Sequence, residues 1–180
     1  SGEQRHCRAR AMVNAAGPWV SALFKETLSL PAPKQIRMVK GSHIVVPKVH
    51  DEPEAYMLQN ADNRIIFVIP YEDDYSLIGT TDVDYHGDPG KATISAEETE
   101  YLIGIVNDHF KNPLSPADVV WSYSGVRPLM DDESGSAQKA SRDYTFEVDG
   151  NAETAPLISV FGGKITTYRK LAEAATDQIC

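Results

Sequence analysis

Arg64–Tyr71 (RIIFVIPY) and Tyr75–Thr81 (YSLIGTT) are two apolar runs joined only by the polar Glu72–Asp74. So short a connection can turn the chain back on itself. It cannot carry a crossover to a parallel neighbour, which takes about a dozen residues or more. A third run, Ala55–Gln59 (AYMLQ), precedes them across the polar Asn60–Asn63. Apolar segments bounded by polar turns read as strands, so the middle of the chain is expected to be an antiparallel meander. Ile36–Pro47 (IRMVKGSHIVVP) reads as one long strand. The glycine in its middle, Gly41, signals a bulge or the close approach of another group.

Ser95 precedes AEETEYLIGIVNDHF, with Glu98 three residues on, the form of a capping box. This predicts a helix over Ser95–Lys111. Asp118–Arg127 (DVVWSYSGVR), Tyr144–Val148 and Leu157–Phe161 read as further strands, and Asp131–Ser141 as a polar loop. Ile36 to Val160 is thus expected to form a mostly antiparallel sheet with that helix packed on it. The two ends differ. Ala11–Ala16 leads through Gly17-Pro18-Trp19 into apolar positions at helical spacing, Val20, Leu23, Phe24 and Leu28, stopped by Leu30-Pro31-Ala32-Pro33. Leu157–Phe161 leads through Gly162-Gly163 into a helix from Ile165. Both strand–glycine–helix units are expected to lack partners for a parallel sheet within this chain.

The chain has 180 residues, 26 acidic against 17 basic, for a formal charge of −9. Nucleic acid as the main partner is disfavoured, because phosphate neutralisation needs a basic face. A small anionic substrate is not excluded, since one or two placed cations suffice. Hydrophobic residues at 42% and charged residues at 24% argue for a folded domain rather than disorder. Cys7 and Cys180 match no metal motif and read as reduced thiols of a cytosolic protein. No apolar run approaches the roughly 20 residues that span a bilayer. No signal peptide is visible, and the opening Ser-Gly, without Met, reads as a start after a cut or inside a longer protein.

Four places could carry chemistry. Phe161-Gly162-Gly163-Lys164-Ile165-Thr166-Thr167 joins a strand to a helix start, where glycines and free N–H groups let a ligand approach. It also reads as a plain turn with Thr166 or Thr167 as cap. Asn14-Ala15-Ala16-Gly17-Pro18-Trp19 repeats that logic at the other end. In Ser124-Gly125-Val126-Arg127-Pro128, Arg127 at a strand end is either a bidentate clamp for phosphate or carboxylate or a surface salt bridge. In Gly41-Ser42-His43, His43 is either a hydrogen-bonded core residue or a base poised near neutral pH. His6, His50, His86 and His109 receive no role. Asp131-Asp132-Glu133 reads as a solvated loop, and no metal site is expected.

Together, the runs RMVKGSHIVVP, RIIFVIPY…YSLIGTTDVDY, VVWSYSGVRPL and VFGGKITTYRKLAE resemble the FAD-dependent glycerol-3-phosphate dehydrogenases, aerobic flavoenzymes of the glycine-oxidase and D-amino-acid-oxidase superfamily. The resemblance implies an α+β fold: a mostly antiparallel substrate-binding sheet with a packed helix, flanked by partial strand–Gly–helix pieces of an FAD-binding α/β domain. It divides the chain into 1–30 (partial FAD-binding domain), 31–155 (substrate-binding sheet) and 156–180 (returning FAD-binding strand and helix). It implies oxidation of sn-glycerol 3-phosphate to dihydroxyacetone phosphate, with hydride passing to the flavin and electrons to a membrane quinone. It places catalytic and substrate-binding roles on His43, Arg127 and Lys164, and flavin contacts on Ala16, Gly17, Gly162, Gly163, Lys164, Ile165 and Thr166. It fits a cytoplasmic enzyme lying peripherally on the membrane, with a homodimer as a compatible form.

The match has one conspicuous departure. The G-x-G-x-x-G that holds the FAD pyrophosphate in this family is absent, as are an arginine and a tyrosine of the phosphate pocket and the C-terminal helices. The chain resembles the middle and later part of such an enzyme. FAD is expected in the full-length parent and not in this stretch alone, which is expected to be inactive. A glycerol-3-phosphate oxidase, a related flavin-dependent amine or hydroxy-acid oxidase, and a non-catalytic binding module are the competing readings.

Overall fold

The computed structural model describes residues 2–130, 143–150 and 154–180. Its strands are β1 (Met12–Asn14), β2 (Ile36–Pro47), β3 (Tyr56–Gln59), β4 (Ile65–Tyr71), β5 (Tyr75–Gly79), β6 (Val83–Asp84), β7 (Trp121–Met130), β8 (Tyr144–Asp149) and β9 (Leu157–Gly162). The helical segments are α1 (17–28), α2 (Ala96–His109) and α3 (Tyr168–Ile179). They divide into two compact units, one of them Met38–Arg127 and the other built from the two ends of the chain.

The Met38–Arg127 unit holds the meander. Its sheet runs β3-β4-β5-β2-β6, with β7 paired to β2. All the registered pairs in this sheet are antiparallel, and the expected strands are present. Strand alternation sends Ile44, Val46, Ile66, Val68 and Ile78 to one face, where they meet Leu102, Ile103, Ile105 and Val106 of α2 in a single core. α2 starts as its sequence predicts: Ser95 Oγ accepts from the Glu98 N–H at 3.2 Å, and Glu98 Oε2 accepts from the Ser95 N–H at 2.9 Å. The opposite face carries the other parity. Met57 lies across from Phe67, Phe67 from Gly79, and Gly79 from His43, which makes one row across four strands. Met57 and Phe67 on that row are exposed.

The strand expected over Asp118–Arg127 begins later, at Trp121, and runs on through Pro128 to Met130. Its first residues are taken by a tight turn over Pro116–Asp118. There the Asp118 carboxylate reaches back to the Ser115 N–H and hydroxyl, both at 2.7 Å. Arg127 is therefore inside β7 rather than at its end.

In the other unit, β1 pairs in parallel with β9, Met12 opposite Leu157 and Asn14 opposite Ser159. The end strands therefore do have a parallel partner within the chain, namely each other. β8 lies antiparallel on the far side of β9, from Tyr144 opposite Gly162 to Asp149 opposite Leu157. The single sheet expected from Ile36 to Val160 is thus divided, because β8 and β9 are adjacent in sequence and satisfy one another's backbone groups. Val20, Phe24, Leu157 and Phe161 form this unit's core. The α1 segment is not a regular α-helix. It passes from a tight turn over Gly17–Trp19 to wide turns over Leu23–Leu28 and stops at Ser29, φ 55°. The Phe24 carbonyl accepts from the N–H groups of both Ser29 and Leu30, which unwinds the last turn before Pro31. The loop expected over Asp131–Ser141, with Asp131-Asp132-Glu133, lies outside the described residues. Among the described residues, no helix is long and apolar enough to cross a membrane.

Candidate functional site

His43 stands on the open face of the sheet. Its ring stacks flat on Tyr123 of β7, centroids 4.7 Å apart and planes 7° from parallel. Across the strand pair is Gly79, where a Cβ would run into the His43 ring. Glycine at 79 is therefore what lets the imidazole lie down on the sheet. The ring is half-buried, and its Nδ1 is buried with no hydrogen-bond partner among the described residues.

Arg127 lies on the same face, over Gly41. A Cβ at Gly41 would meet the Arg127 guanidinium and Thr80 Oγ1, so the close approach signalled by that glycine is the arginine's. Arg127 Nη1 donates to Asp82 Oδ1 at 2.6 Å and to the Thr81 carbonyl at 3.5 Å, and Nη2 donates to Thr80 Oγ1 at 2.9 Å. The guanidinium is part of a half-buried salt bridge, and the fork is held on one edge. Nε has no partner among the described residues. A planar fork fixed on one side presents its remaining donors in a set direction, the condition for bidentate recognition of an anion.

The underside of this patch is polar. Residues 40 and 42 of β2 alternate with 41 and 43, so they face α2. Lys40 Nζ pairs with Glu98 Oε2 at 2.7 Å, with side chains 9% and 6% exposed, and also donates to the Thr93 carbonyl at 2.8 Å. Ser42 Oγ and Thr81 Oγ1 donate to Glu98 Oε1 at 2.8 and 2.7 Å. Burial pushes the Glu98 carboxyl up. The hydrogen bonds from Lys40, Thr81, the Ser95 N–H and Ser42 outweigh it and hold the carboxyl below its ordinary value. His43 is held below the ordinary histidine value by burial first and by the Arg127 charge second.

These directions make acid the weak side of the fold. Unfolded His43 protonates near pH ~6.5, before the folded residue does. Stability is therefore complete above that pH and falls as pH drops toward the lower folded value. Glu98 contributes above the ordinary carboxylate pKa, and that contribution is lost as pH falls through its depressed folded value. Urea midpoints measured from neutral to acid pH are expected to fall in these two windows, and His43→Gln should remove the upper one. A midpoint flat from neutral down to pH ~5 in the unsubstituted chain would contradict the His43 assignment.

A second expectation concerns Gly79. Gly79→Ala puts a methyl where the His43 ring lies, and such overpacking costs about 1–3 kcal/mol. The denaturation midpoint should drop, and the His43 ring protons should lose the ring-current shift from Tyr123 in the NMR spectrum. A spectrum with that shift intact would mean the ring does not lie on Gly79.

Lys164 and the glycine turns belong to the other unit. Gly162 and Gly163 have φ of 75° and 103°, conformations that side-chain-bearing residues rarely adopt. Lys164 is extended and exposed, with no ion pair among the described residues. Neither threonine caps the following helix through its side chain. Thr167 instead donates its hydroxyl to the Lys164 carbonyl at 3.1 Å, because the tight turn over Ile165–Thr167 brings that carbonyl within reach. Ile165 beside the turn is 87% exposed. At the other turn, Asn14 Nδ2 donates to the Val20 carbonyl at 2.9 Å, and Gly17 has φ 55° with open space where a Cβ would be. The two turns differ in what the glycine makes room for: Gly17 faces open space, whereas a Cβ at Gly162 would meet the Asp143 carbonyl and one at Gly163 the Leu171 side chain.

Four participants escaped the sequence. Asp82 follows the YSLIGTT strand and gave no sign that it grips Arg127. Tyr123 and Gly79 are ordinary strand residues until the register is known. Glu98 was legible only as a helix cap. Lys40, a charge within the otherwise largely apolar run of β2, was the one signal available.

The profile of the FAD dependent oxidoreductase family matches residues 1–169, and the chain belongs to that family. High identity to one group of these enzymes runs across nearly the whole chain. It is 55% identical over 179 residues to the aerobic glycerol-3-phosphate dehydrogenase of Escherichia coli (strain K12), covering 99% of this chain and 36% of that protein. It is 49% identical over 179 residues to the D-erythritol 1-phosphate dehydrogenase of Brucella abortus (strain 2308), again 99% of this chain and 36% of the relative. The X-ray structure of the glycerol-3-phosphate dehydrogenase from Bacillus halodurans complexed with FAD superposes with a TM-score of 0.76 at 32% identity, over 95% of this chain and 32% of that one. The chain thus spans 36% of the E. coli relative's length.

Proposed function

We propose that this chain is the substrate-binding part of an FAD-dependent glycerol-3-phosphate dehydrogenase. The observation that carries the reading is the pairing of His43 and a braced Arg127 on one open sheet face. Arg127 offers to the phosphate its Nε edge, which has no partner among the described residues, and its Asp82 and Thr80 contacts keep that edge in place. His43 takes the hydroxyl proton on Nε2, since Nδ1 is buried. Its depressed pKa leaves the imidazole neutral near pH 7, the form a base requires. The sequence resemblance gives Lys164 a substrate-binding role as well. The turns at Ala16-Gly17 and Gly162 to Thr166 would hold FAD, which when bound would supply the hydride acceptor. Transfer of the electrons to a membrane quinone, a cytoplasmic enzyme lying peripherally on the membrane, and a homodimer complete the reading and rest on the sequence resemblance.

The test is a chimera in which this chain replaces the matching 179 residues of the E. coli enzyme. Dye-linked oxidation of glycerol 3-phosphate should survive within about tenfold, or about 1.4 kcal/mol of barrier. A folded, FAD-loaded chimera without that activity would overturn the proposal. Assay with D-erythritol 1-phosphate separates the substrate named for the Brucella relative from the one proposed.

A further inference from the structure

The Glu98 carboxylate has more partners than a helix cap needs. A capping box requires its reciprocal bonds with Ser95 and nothing else. Glu98 also takes Ser42 Oγ and Thr81 Oγ1 on Oε1 and Lys40 Nζ on Oε2. The links continue: the Ser42 N–H donates to Thr81 Oγ1 at 2.9 Å, and Ser42 Oγ lies 2.8 Å from Ser124 Oγ. Three stretches of chain are therefore tied together under the sheet, at residues 42, 81 and 124. On the other face their immediate neighbours are Gly41 beneath Arg127, His43 itself, Thr80 and Asp82 that hold Arg127, and Tyr123 that stacks on His43.

Stability does not call for this arrangement. Taking two opposite charges out of water is costly, and apolar replacements of buried pairs are often neutral or stabilising. A buried polar network does fix geometry, because each member has few alternative partners. We propose that Glu98 is a positioning residue: from the underside of the sheet it sets the spacing of His43 and Arg127 that an anionic substrate needs on the open side. This deepens the proposed function, and it rests on that reading only for the identity of the ligand. Glu98 touches neither substrate nor cofactor in this scheme and acts through Ser42 and Thr81.

His43 itself supplies the readout. The groups that face it are Arg127 and Tyr123, both on β7. If the network loosens, the guanidinium moves away and the His43 titration midpoint rises toward the ordinary histidine value. The experiment is an NMR titration of the His43 ring in the full 180-residue chain, with urea unfolding as the fold control and inorganic phosphate as the anion probe. The variant Lys40→Met/Glu98→Gln removes both charges and leaves no unpaired ion. It should unfold cooperatively, show a raised His43 midpoint and bind inorganic phosphate at least tenfold more weakly. Should that variant not fold, Thr81→Val removes one of the two hydroxyls on Oε1, and with it the acceptor of the Ser42 N–H, without touching a charge, and gives the same comparison. Thr81→Ser, which keeps the hydroxyl, should restore the original midpoint. A folded Thr81→Val or double variant with an unchanged His43 midpoint would overturn the proposal. If the unsubstituted chain binds no inorganic phosphate, the substrate reading falls, and the His43 midpoint still decides the role of Glu98.

Discussion

Lys40→Met is expected to destabilise the chain by about 3–5 kcal/mol, because it leaves the Glu98 carboxylate buried without its cation. The Lys40 ammonium is 2.7 Å from that carboxylate, and both side chains are almost fully enclosed. The pH dependence has a definite sign. Lys40 is among the groups that hold Glu98 low, so its loss raises the folded pKa, and acid unfolding then starts at a higher pH. The double change Lys40→Met/Glu98→Gln should cost far less than the single one, since no lone charge remains. Urea unfolding of the three proteins at neutral pH is the measurement. A single variant within about 1 kcal/mol of the parent would show that the pair is not shielded as described.

Arg127→Ala is expected to raise KM for glycerol 3-phosphate by roughly 10–150-fold in the chimera, with a much smaller change in kcat. The range follows from about 1.5–3 kcal/mol for a hydrogen bond to a charged group, at 1.4 kcal/mol for each factor of ten. Arg127→Lys should fare little better. An ammonium keeps the charge but cannot span Asp82 and Thr80 and still offer a directed edge to the phosphate. The His43 pKa should rise in both variants that displace the guanidinium, more in Arg127→Ala, since the Arg127 charge is part of what holds it down. An unchanged KM in Arg127→Ala would remove Arg127 from the phosphate site.

Much of the central unit was legible in advance. β2, β4 and β5 came out where the apolar runs lie, and α2 begins on the capping box that Ser95 and Glu98 announced. Gly41 was flagged for a close approach, and the approaching group proved to be the Arg127 side chain. The start of β7 was misplaced, although Ser115-Pro116-Ala117-Asp118 carried the signature of a turn. The apolar pair Val119-Val120 drew the strand forward past it.

By itself, the amino-acid sequence determined the local elements and singled out the side chains that are candidates for chemistry. Alternation, caps and turn residues act between neighbours along the chain, so they leave a readable pattern. It also determined kinship, because four runs in the same order as a known family are carried by residue identity alone. Only the tertiary structure decided which elements meet. Met12 of β1 pairs with Leu157 of β9 although the two lie near opposite ends of the chain; nothing near either strand specifies the other. Likewise, whether Glu98 is a cap or the hub beneath His43 and Arg127 depends on which side of β2 the helix packs. That choice is made by burial of Ile44, Val46, Leu102 and Val106 together, a property of the whole core and not of any one segment.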